Sequence, residues 1–484
     1  MNTLLLSHEL LVLALGLGLL LVDLWLPLPA KRKLGYVAAL GTGLILLYSL
    51  VCVRVPPEGA AGYAFSQMYV LDGLALFFKR FFLLAALLVL LLSVEFADRI
   101  TSGLSEYYAL VLFALAGMLF AASANNFTLL FAALELITIT FYILTSFQRH
   151  RVASLEAGVK YLVIGALSTA FMVFGIALVY GLSHTLSFDG LARAAGALGG
   201  NRVFLFGLVL ILAGLGFKIA VVPFQIWVPD VYQGAPVPTT AFLAIGSKAA
   251  GFVLLLRVLF LAVPDITAHW PHLLMLLSGA SILYGNLCAI PQRNLKRLLG
   301  YSGIAHAGYL LLGVAALSAA GRAAVLYYLS GYLFTVLAAF TVICVALRQV
   351  DGEDLGALAG LHRRSPLLAA TMTLAMASFA GIPPLAGFFG KFLLLKAVLE
   401  QAPACAAYYY LTFLALAGIV ISLYYYFNVV RVIYWSANAT DLSPIPVSGP
   451  IRLAIYACIA GMLYLGLFPG GILNLATEAV KALP

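Results

Sequence analysis

The chain has 484 residues, of which 64% are hydrophobic and only 9% carry a charge, and its mean hydropathy is +1.08. So little charge cannot cover the surface of a water-soluble domain, which leaves a polytopic membrane protein. The net charge of +9 does not point to nucleic acid, because the basic residues sit in short loops between apolar stretches, where the positive-inside rule puts them.

Apolar windows of about 20 residues predict fourteen membrane helices over 4–26, 34–54, 71–95, 106–123, 126–147, 155–181, 203–228, 237–263, 272–290, 297–317, 322–348, 366–399, 407–435 and 449–469. The first stretch has no basic start and no small-residue cleavage site, contains Asp23 and is followed by many more spans, so it is expected to be kept as a helix rather than removed as a signal peptide. Turn formers mark the joins: Pro27-Leu28-Pro29, Pro56-Pro57, Asn125-Asn126, Pro264, Pro291 and Ser443-Pro444-Ile445-Pro446. Lys31, Arg32, Lys33, Arg149, Arg151, Arg293, Lys296, Arg297, Arg348, Arg363 and Arg364 fall on loops after odd-numbered helices. The other loops hold far fewer, so both termini are expected on the non-cytoplasmic side. Five cysteines (Cys52, Cys288, Cys344, Cys405 and Cys458) are scattered without a C-x-x-C pair and read as packing residues.

Two spans carry breakers. The seventh runs Gly214-Leu-Gly-Phe-Lys218 and then meets Pro223, and the twelfth contains Gly381-Ile-Pro-Pro384 ahead of Lys391. A proline inside a membrane helix frees a carbonyl that protein or water must satisfy. Broken helices beside buried charge, about five helices apart, suit an inverted-repeat transporter. The break follows Lys218 but precedes Lys391, and the residues alone leave the repeat open.

Five ionisable residues lie deep inside spans: Glu135, Lys218, Lys248, His306 and Lys391. A charge near the bilayer midplane costs about 2.5–3.5 kcal/mol on insertion scales, so five of them, of both signs, suggest a path for protons or ions. Glu135 needs a cation nearby, and Lys218 is the expected partner; the bland alternative is a fixed ion pair. Lys248 has only small neighbours in Gly246-Ser-Lys-Ala-Ala250, which leaves room for water, although lysines also snorkel. A neutral His306 can accept a proton on one nitrogen and release one from the other, or can simply be a hydrogen-bonded core residue. Lys391 could pass a proton onward, with Lys396 and Glu400 just beyond it. Glu106, Glu156 and Lys160 lie nearer helix ends; Glu156 and Lys160 are four apart and could just pair. Arg257 is expected to anchor at the membrane interface.

These residues sit in strings that resemble a known family. Gly214-Leu-Gly-Phe-Lys-Ile-Ala-Val-Val-Pro-Phe-Gln-Ile-Trp-Val-Pro-Asp-Val-Tyr-Gln-Gly-Ala-Pro-Val-Pro-Thr239 is similar to the central stretch of the antiporter-like subunits of proton-pumping NADH:quinone oxidoreductase, respiratory complex I. Ala244-Ile-Gly-Ser-Lys-Ala-Ala-Gly-Phe252, Tyr301-Ser-Gly-Ile-Ala-His-Ala-Gly-Tyr-Leu310, Ala380-Gly-Ile-Pro-Pro-Leu-Ala-Gly-Phe-Phe-Gly-Lys-Phe392 and Leu423-Tyr-Tyr-Tyr426 resemble its N-type members in particular.

The resemblance implies an all-α polytopic fold of fourteen helices, with two inverted five-helix repeats and discontinuous helices 7 and 12. It implies one membrane domain: N-terminal helices over 1–104, a first repeat over 105–263, a second over 270–435, and a last helix and tail over 449–484. Glu135 and Lys218 resemble the family's acid–base pair, Lys248 its central lysine, His306 its bridging histidine and Lys391 its exit lysine; Lys160 and Glu106 are further candidates. Lysine at 391, where M-type subunits have glutamate, favours the N type, and the stretch up to Pro484 leaves no room for the lateral helix of the L type. The resemblance implies no cofactor and no metal in this chain, with FMN, iron–sulfur clusters and quinone held by partner subunits. It also implies a bacterial inner membrane and neighbours of the M and K types that connect to the redox arm. One position departs: Gln225 stands where the family often has histidine, and glutamine cannot carry a proton at ordinary pH. A cation/proton antiporter subunit of the multisubunit type is the alternative function, and a non-pumping membrane scaffold a third.

Overall fold

The computed structural model describes residues 3–27, 30–55, 62–348, 353–436 and 442–483; the expected breakers Leu28-Pro29 and Pro56-Pro57, and Pro484, lie outside them. In chain order the helices are α1 (Ser7–Asp23), α2 (Lys31–Val51), α3 (Gly73–Phe96), α4 (Leu104–Ala122), α5 (Phe127–Thr145), α6 (Val152–Ser183), α7 (Phe188–Leu198), α8 (Arg202–Ile219), α9 (Val228–Gly234), α10 (Val237–Phe242), α11 (Lys248–Arg257), α12 (Pro264–Thr267), α13 (Pro271–Ala289), α14 (Leu295–Ala315), α15 (Ala319–Ala346), α16 (Leu361–Arg364), α17 (Pro366–Ala380), α18 (Ala386–Leu399), α19 (Ala407–Trp435), α20 (Gly449–Leu467) and α21 (Gly470–Val480). A two-residue antiparallel hairpin, Tyr63–Ala64 with Tyr69–Val70, precedes α3.

Among the described residues, 12 helices are long and apolar enough to cross a membrane. With α1 and the interrupted pair α17–α18 they make up the fourteen expected passes. These helices are apolar all round because both core and lipid faces must be. The pass through α10 and α11, Val237–Ala262, is enclosed by the rest of the chain, whereas α2, α6, α19 and α20 form much of the outer surface. Two π-helical turns, Leu243–Ser247 and Val258–Ala262, bracket α11.

The two halves are built in the same register. Asn126 caps α5 by accepting from Thr128 N, and Asn294 caps α14 by accepting from Arg297 N; each asparagine also forms an isolated backbone bridge, to Ser187 and to Asp354. A Cβ at Gly117 would strike Ala133 O and Ile137 N across the α4–α5 contact, and a Cβ at Gly285 would strike Tyr301 O and Ala305 N across α13–α14. Both pairs, Asn126/Asn294 and Gly117/Gly285, are 168 residues apart. That register sets Glu135 against Gly303 and Thr138 against His306. The interruptions match as well. α8 ends in left-handed Ala220 with Val221 N reaching back to Gly216 O, and α17 ends in left-handed Gly381 with Ile382 N reaching back to Ala377 O. The expected single spans 203–228 and 366–399 are thereby each split in two.

Three buried cations are locked to carboxylates. Lys79 and Glu9, both fully buried, pair at 2.7 Å, and Lys79 also donates to the Tyr69 hydroxyl at 2.5 Å. Lys296, fully buried, pairs with Glu353 at 2.9 Å and donates to Ala235 O at 2.8 Å. Arg257, expected to anchor at the membrane interface, is buried within the protein and held by its side-chain and backbone acceptors. Its Nη1 and Nη2 donate to the Asp72 carboxylate at 3.0 and 2.8 Å and its Nε to Ala122 O at 2.9 Å. The reason is Asp72, which also caps α3 by accepting from Ala75 N and so presents a fixed carboxylate inside the bundle.

Removing one partner of a buried ion pair costs about 3–5 kcal/mol, because the other charge is left without compensation. Lys79→Ala should therefore lower the thermal unfolding midpoint of the solubilised protein by many degrees, and the neutral pair Glu9→Gln/Lys79→Met should recover most of it. A midpoint unmoved by Lys79→Ala would contradict this.

Candidate functional site

Lys218 lies in the last turn of α8, where uncompensated carbonyls give the helix end a negative partial charge that favours a cation. Its Nζ donates to Thr138 Oγ1 at 2.8 Å. Glu135, half-buried on α5, accepts from Thr169 Oγ1 of α6 at 2.9 Å. Glu135 and Lys218 thus line one cleft between α5, α6 and α8, but each is held by a threonine rather than by the other. The two charged groups thus share a cleft without the expected direct ion-pair contact, and each has a threonine hydroxyl as its hydrogen-bond partner.

Lys248 follows directly on the π-helical turn Leu243–Ser247. Such turns leave local carbonyls without their regular helical partners and recur at functional sites. Its ammonium donates to Gly303 O and lies 5.8 Å from the centroid of the Tyr332 ring. Gly251, one turn further along α11, has no side chain, and a Cβ there would meet the Lys218 stem at 3.3 Å. The first two lysines are therefore adjacent through α11.

His306 is enclosed by aromatic side chains. Its Nδ1 bonds the Tyr328 hydroxyl and its Nε2 the Tyr426 hydroxyl at 3.1 Å, while Tyr426 also bonds Ser302 Oγ at 2.5 Å. Tyr332, the ring beside Lys248, is 4.9 Å from the His306 ring, and Phe379 is 5.2 Å from it. Lys391 completes the row: its Nζ donates to Phe379 O at 2.7 Å and Ala380 O at 3.3 Å and sits 5.0 Å from the Tyr309 ring. Those two carbonyls belong to the last turn of α17, so the interruption at Gly381 supplies the acceptors that hold the ammonium.

The structure thus shows one series of contacts: Glu135 and Lys218 line one cleft, the Lys218 stem lies against Gly251 of the helix that carries Lys248, Tyr332 lies near both Lys248 and His306, and Phe379 packs near His306 while its carbonyl accepts from Lys391. Lys160 lies outside it. It pairs with Glu156 at 2.6 Å, as its i, i+4 spacing suggested, and with Asp230 of α9 at 2.7 Å, and Asp230 also pairs with Arg297 at 2.5 Å. Glu106 is exposed in the first turn of α4. Gln225 sits in the break between α8 and α9 with its Oε1 buried and making no hydrogen bond to protein.

Several residues of the site escaped the reading of the sequence: Thr138, Thr169, Tyr328 and Tyr332. Thr138 was legible in principle, three residues after Glu135 on the same helix face; the two tyrosines, four apart on α15, carry no signal beyond that spacing. Among the described residues no group of His, Cys, Asp and Glu could hold a metal ion.

A bundle of two matched halves, each with a helix interrupted beside a buried lysine, is the architecture of an inverted-repeat membrane subunit. The family described as NADH:quinone oxidoreductase/Mrp antiporter, TM, matches residues 124–421, and the chain belongs to it. NADH-quinone oxidoreductase subunit N of Heliobacterium modesticaldum is 40% identical over all of both chains, and that of Desulforamulus reducens is 39% identical over 99% of this chain and 98% of its own. A chain of respiratory complex I from Thermus thermophilus, solved with bound aureothin, is 36% identical, with a TM-score of 0.79 over 97% of this chain and 99% of that one.

Close approach of α18 to the end of α17 is what seats Lys391. A Cβ at Gly387 would lie 1.7 Å from Ser378 O, whereas one at Gly18 meets nothing within 4 Å. Overpacking typically costs about 1–3 kcal/mol, so Gly387→Ala should lower the unfolding midpoint clearly and Gly18→Ala should leave it unchanged or raised. Equal midpoints would contradict this packing.

Proposed function

We propose that this chain is a proton-translocating subunit in the membrane arm of an NADH:quinone oxidoreductase, driven by quinone reduction elsewhere in the complex. One observation carries the reading. Lys79, Lys296 and Arg257 are paired with carboxylates, but the ammonium groups of Lys218, Lys248 and Lys391 are held by neutral acceptors, a threonine hydroxyl and backbone carbonyls. A lysine paired with a buried carboxylate strands that charge when it loses its proton. A lysine on a carbonyl or hydroxyl does not, so its proton can leave.

Protons would pass between Lys218 and Lys248, then through His306 and its tyrosines to Lys391, with water completing the hops. His306 suits the middle because both its nitrogens are engaged by hydroxyls, so one can be protonated as the other releases. A change of charge or position at Glu135, imposed by a neighbouring subunit, would alter how tightly Lys218 holds its proton. At an effective dielectric of about 20, unit charges roughly 4–16 Å apart interact by about 1–4 kcal/mol. With about 1.4 kcal/mol per pKa unit, that is enough to shift a proton equilibrium by about one to three decades. Gln225 would hold water beside Lys218 but carry no proton itself. Lys160, beside Asp230, and the exposed Glu106 would serve at the loop-side end, where protons are collected.

In this reading the chain holds no redox centre. Its helices divide into an N-terminal group over 1–104, repeats over 105–263 and 270–435, and a last helix and tail over 449–484. Its neighbours are subunits of the M and K types, its membrane is the bacterial inner membrane, and both termini face away from the cytoplasm. End-to-end likeness to N-type subunits supports this over a multisubunit cation/proton antiporter, and sodium would need a richer oxygen cluster than Glu135 alone. The proton-to-electron ratio of the assembled complex in membrane vesicles tests it. Lys218→Ala and Lys391→Ala should each lower that ratio while the complex still assembles with flavin and iron–sulfur subunits. A wild-type ratio in either variant, or copurification with antiporter subunits alone, would refute it.

A further inference from the structure

A second line of polar groups approaches Lys248 from the outer face, and nothing in the row just described uses it. A groove of about 750 Å³ lies between α5 and α6 and contains Glu135, Tyr142, Ser146 and Arg149. Glu135 and Tyr142, seven apart on α5, share one helix face, and Ser146 and Arg149 follow in the turn just past its C-terminus.

Tyr142 lines this groove, and it is one of three residues here whose polar atoms are buried without partners. The hydroxyls of Tyr142, Tyr161 and Ser247 are inaccessible and make no hydrogen bond to protein. Tyr161 is 0% and Ser247 1% exposed. An unpartnered buried hydroxyl costs about 1–3 kcal/mol, so three in sequence call for a common explanation, and water is the ordinary one where several polar groups converge. They do converge. The Tyr142 and Tyr161 rings are in edge contact with centroids 5.1 Å apart, and the Tyr161 hydroxyl faces Ser247, the residue before Lys248 on the π-helical turn. The Tyr161 ring is fixed against Trp227, centroids 4.7 Å apart, and Trp227 is itself held by its Nε1 donating to Phe217 O at 3.1 Å. Beyond Ser247, Lys248 Nζ and the Tyr232 hydroxyl both lie within 4 Å of where a Cβ on Gly303 would stand.

We propose that Lys248 receives protons through a hydroxyl-and-water branch that begins in the α5–α6 groove and runs by Tyr142 and Tyr161 to Ser247, in parallel with Lys218. The proposal rests on the proton-translocating reading above. Each hydroxyl accepts a proton on a lone pair and releases its own to the next water, so no tyrosine is ionised and no charge accumulates. The chain ends on a neutral Lys248 amine, which becomes an ammonium and later releases that proton towards His306.

The test uses the assembled complex in membrane vesicles, with Tyr161→Phe, Ser247→Ala, the double variant and Lys391→Ala side by side. Tyr161→Phe keeps the ring packed on Trp227 and Tyr142 and removes only the oxygen. In the double variant the proton-to-electron ratio should fall by an amount comparable to that in Lys391→Ala, and the solvent deuterium isotope effect on translocation should rise, which a packing defect would not cause. A wild-type ratio and isotope effect in the double variant, with a lowered ratio in Lys391→Ala, would overturn the branch and leave the main row standing. A wild-type ratio in Lys391→Ala would instead refute the reading on which it rests.

Discussion

An ammonium group inside a bilayer must find acceptors, and the structure finds them in two ways. A carboxylate satisfies Lys79, Lys296 and Arg257 and fixes their charge. Neutral groups satisfy Lys218, Lys248 and Lys391: the Thr138 hydroxyl of α5, Gly303 O of α14, and the last-turn carbonyls of α17, which the interruption at Gly381 leaves open. At the end of α17, carbonyl dipoles thus stand where a counter-charge would otherwise be needed beside Lys391.

Much else follows from that constraint. Carbonyl acceptors require close backbone approach, and glycines stand where it occurs: Gly303 at Lys248, Gly251 at the Lys218 stem, Gly387 where α18 meets α17. Aromatic rings fill the spaces between the charged groups, with Tyr332 shared by Lys248 and His306 and Phe379 shared by His306 and Lys391. The ion pairs Lys79–Glu9 and Arg257–Asp72 tie α1, α3 and α11 together, so the N-terminal helices brace the first half.

The sequence made the mid-span charges plain, because each is an exception in an apolar window, and the helix breaks were readable as glycine and proline beside lysine. Which charges are fixed and which are free was not readable. Glu9 and Lys79 lie in spans separated by some 70 residues, and neither string hints at the other. Arg257 looked like an anchor because its partner, Asp72, sits at the far end of a different helix. The repeat was hidden as well. Its matched positions are an asparagine cap and a packing glycine, and the functional residues at equivalent points differ: Thr138 against His306, Glu135 against Gly303. Internal symmetry survives here in backbone geometry while the side chains have diverged.

The central claim is that the lysines on neutral acceptors act by exchanging protons and the ion-paired lysines do not. Substitution by arginine separates charge from exchange, because a guanidinium keeps its positive charge and stays protonated in proteins. The decisive measurement is the proton-to-electron ratio of assembled complexes carrying Lys248→Arg or Lys391→Arg, set against Lys79→Arg. A lowered ratio in the first two with a wild-type ratio in the third is expected. Wild-type ratios in Lys248→Arg and Lys391→Arg would show that only the charge matters and would contradict the account.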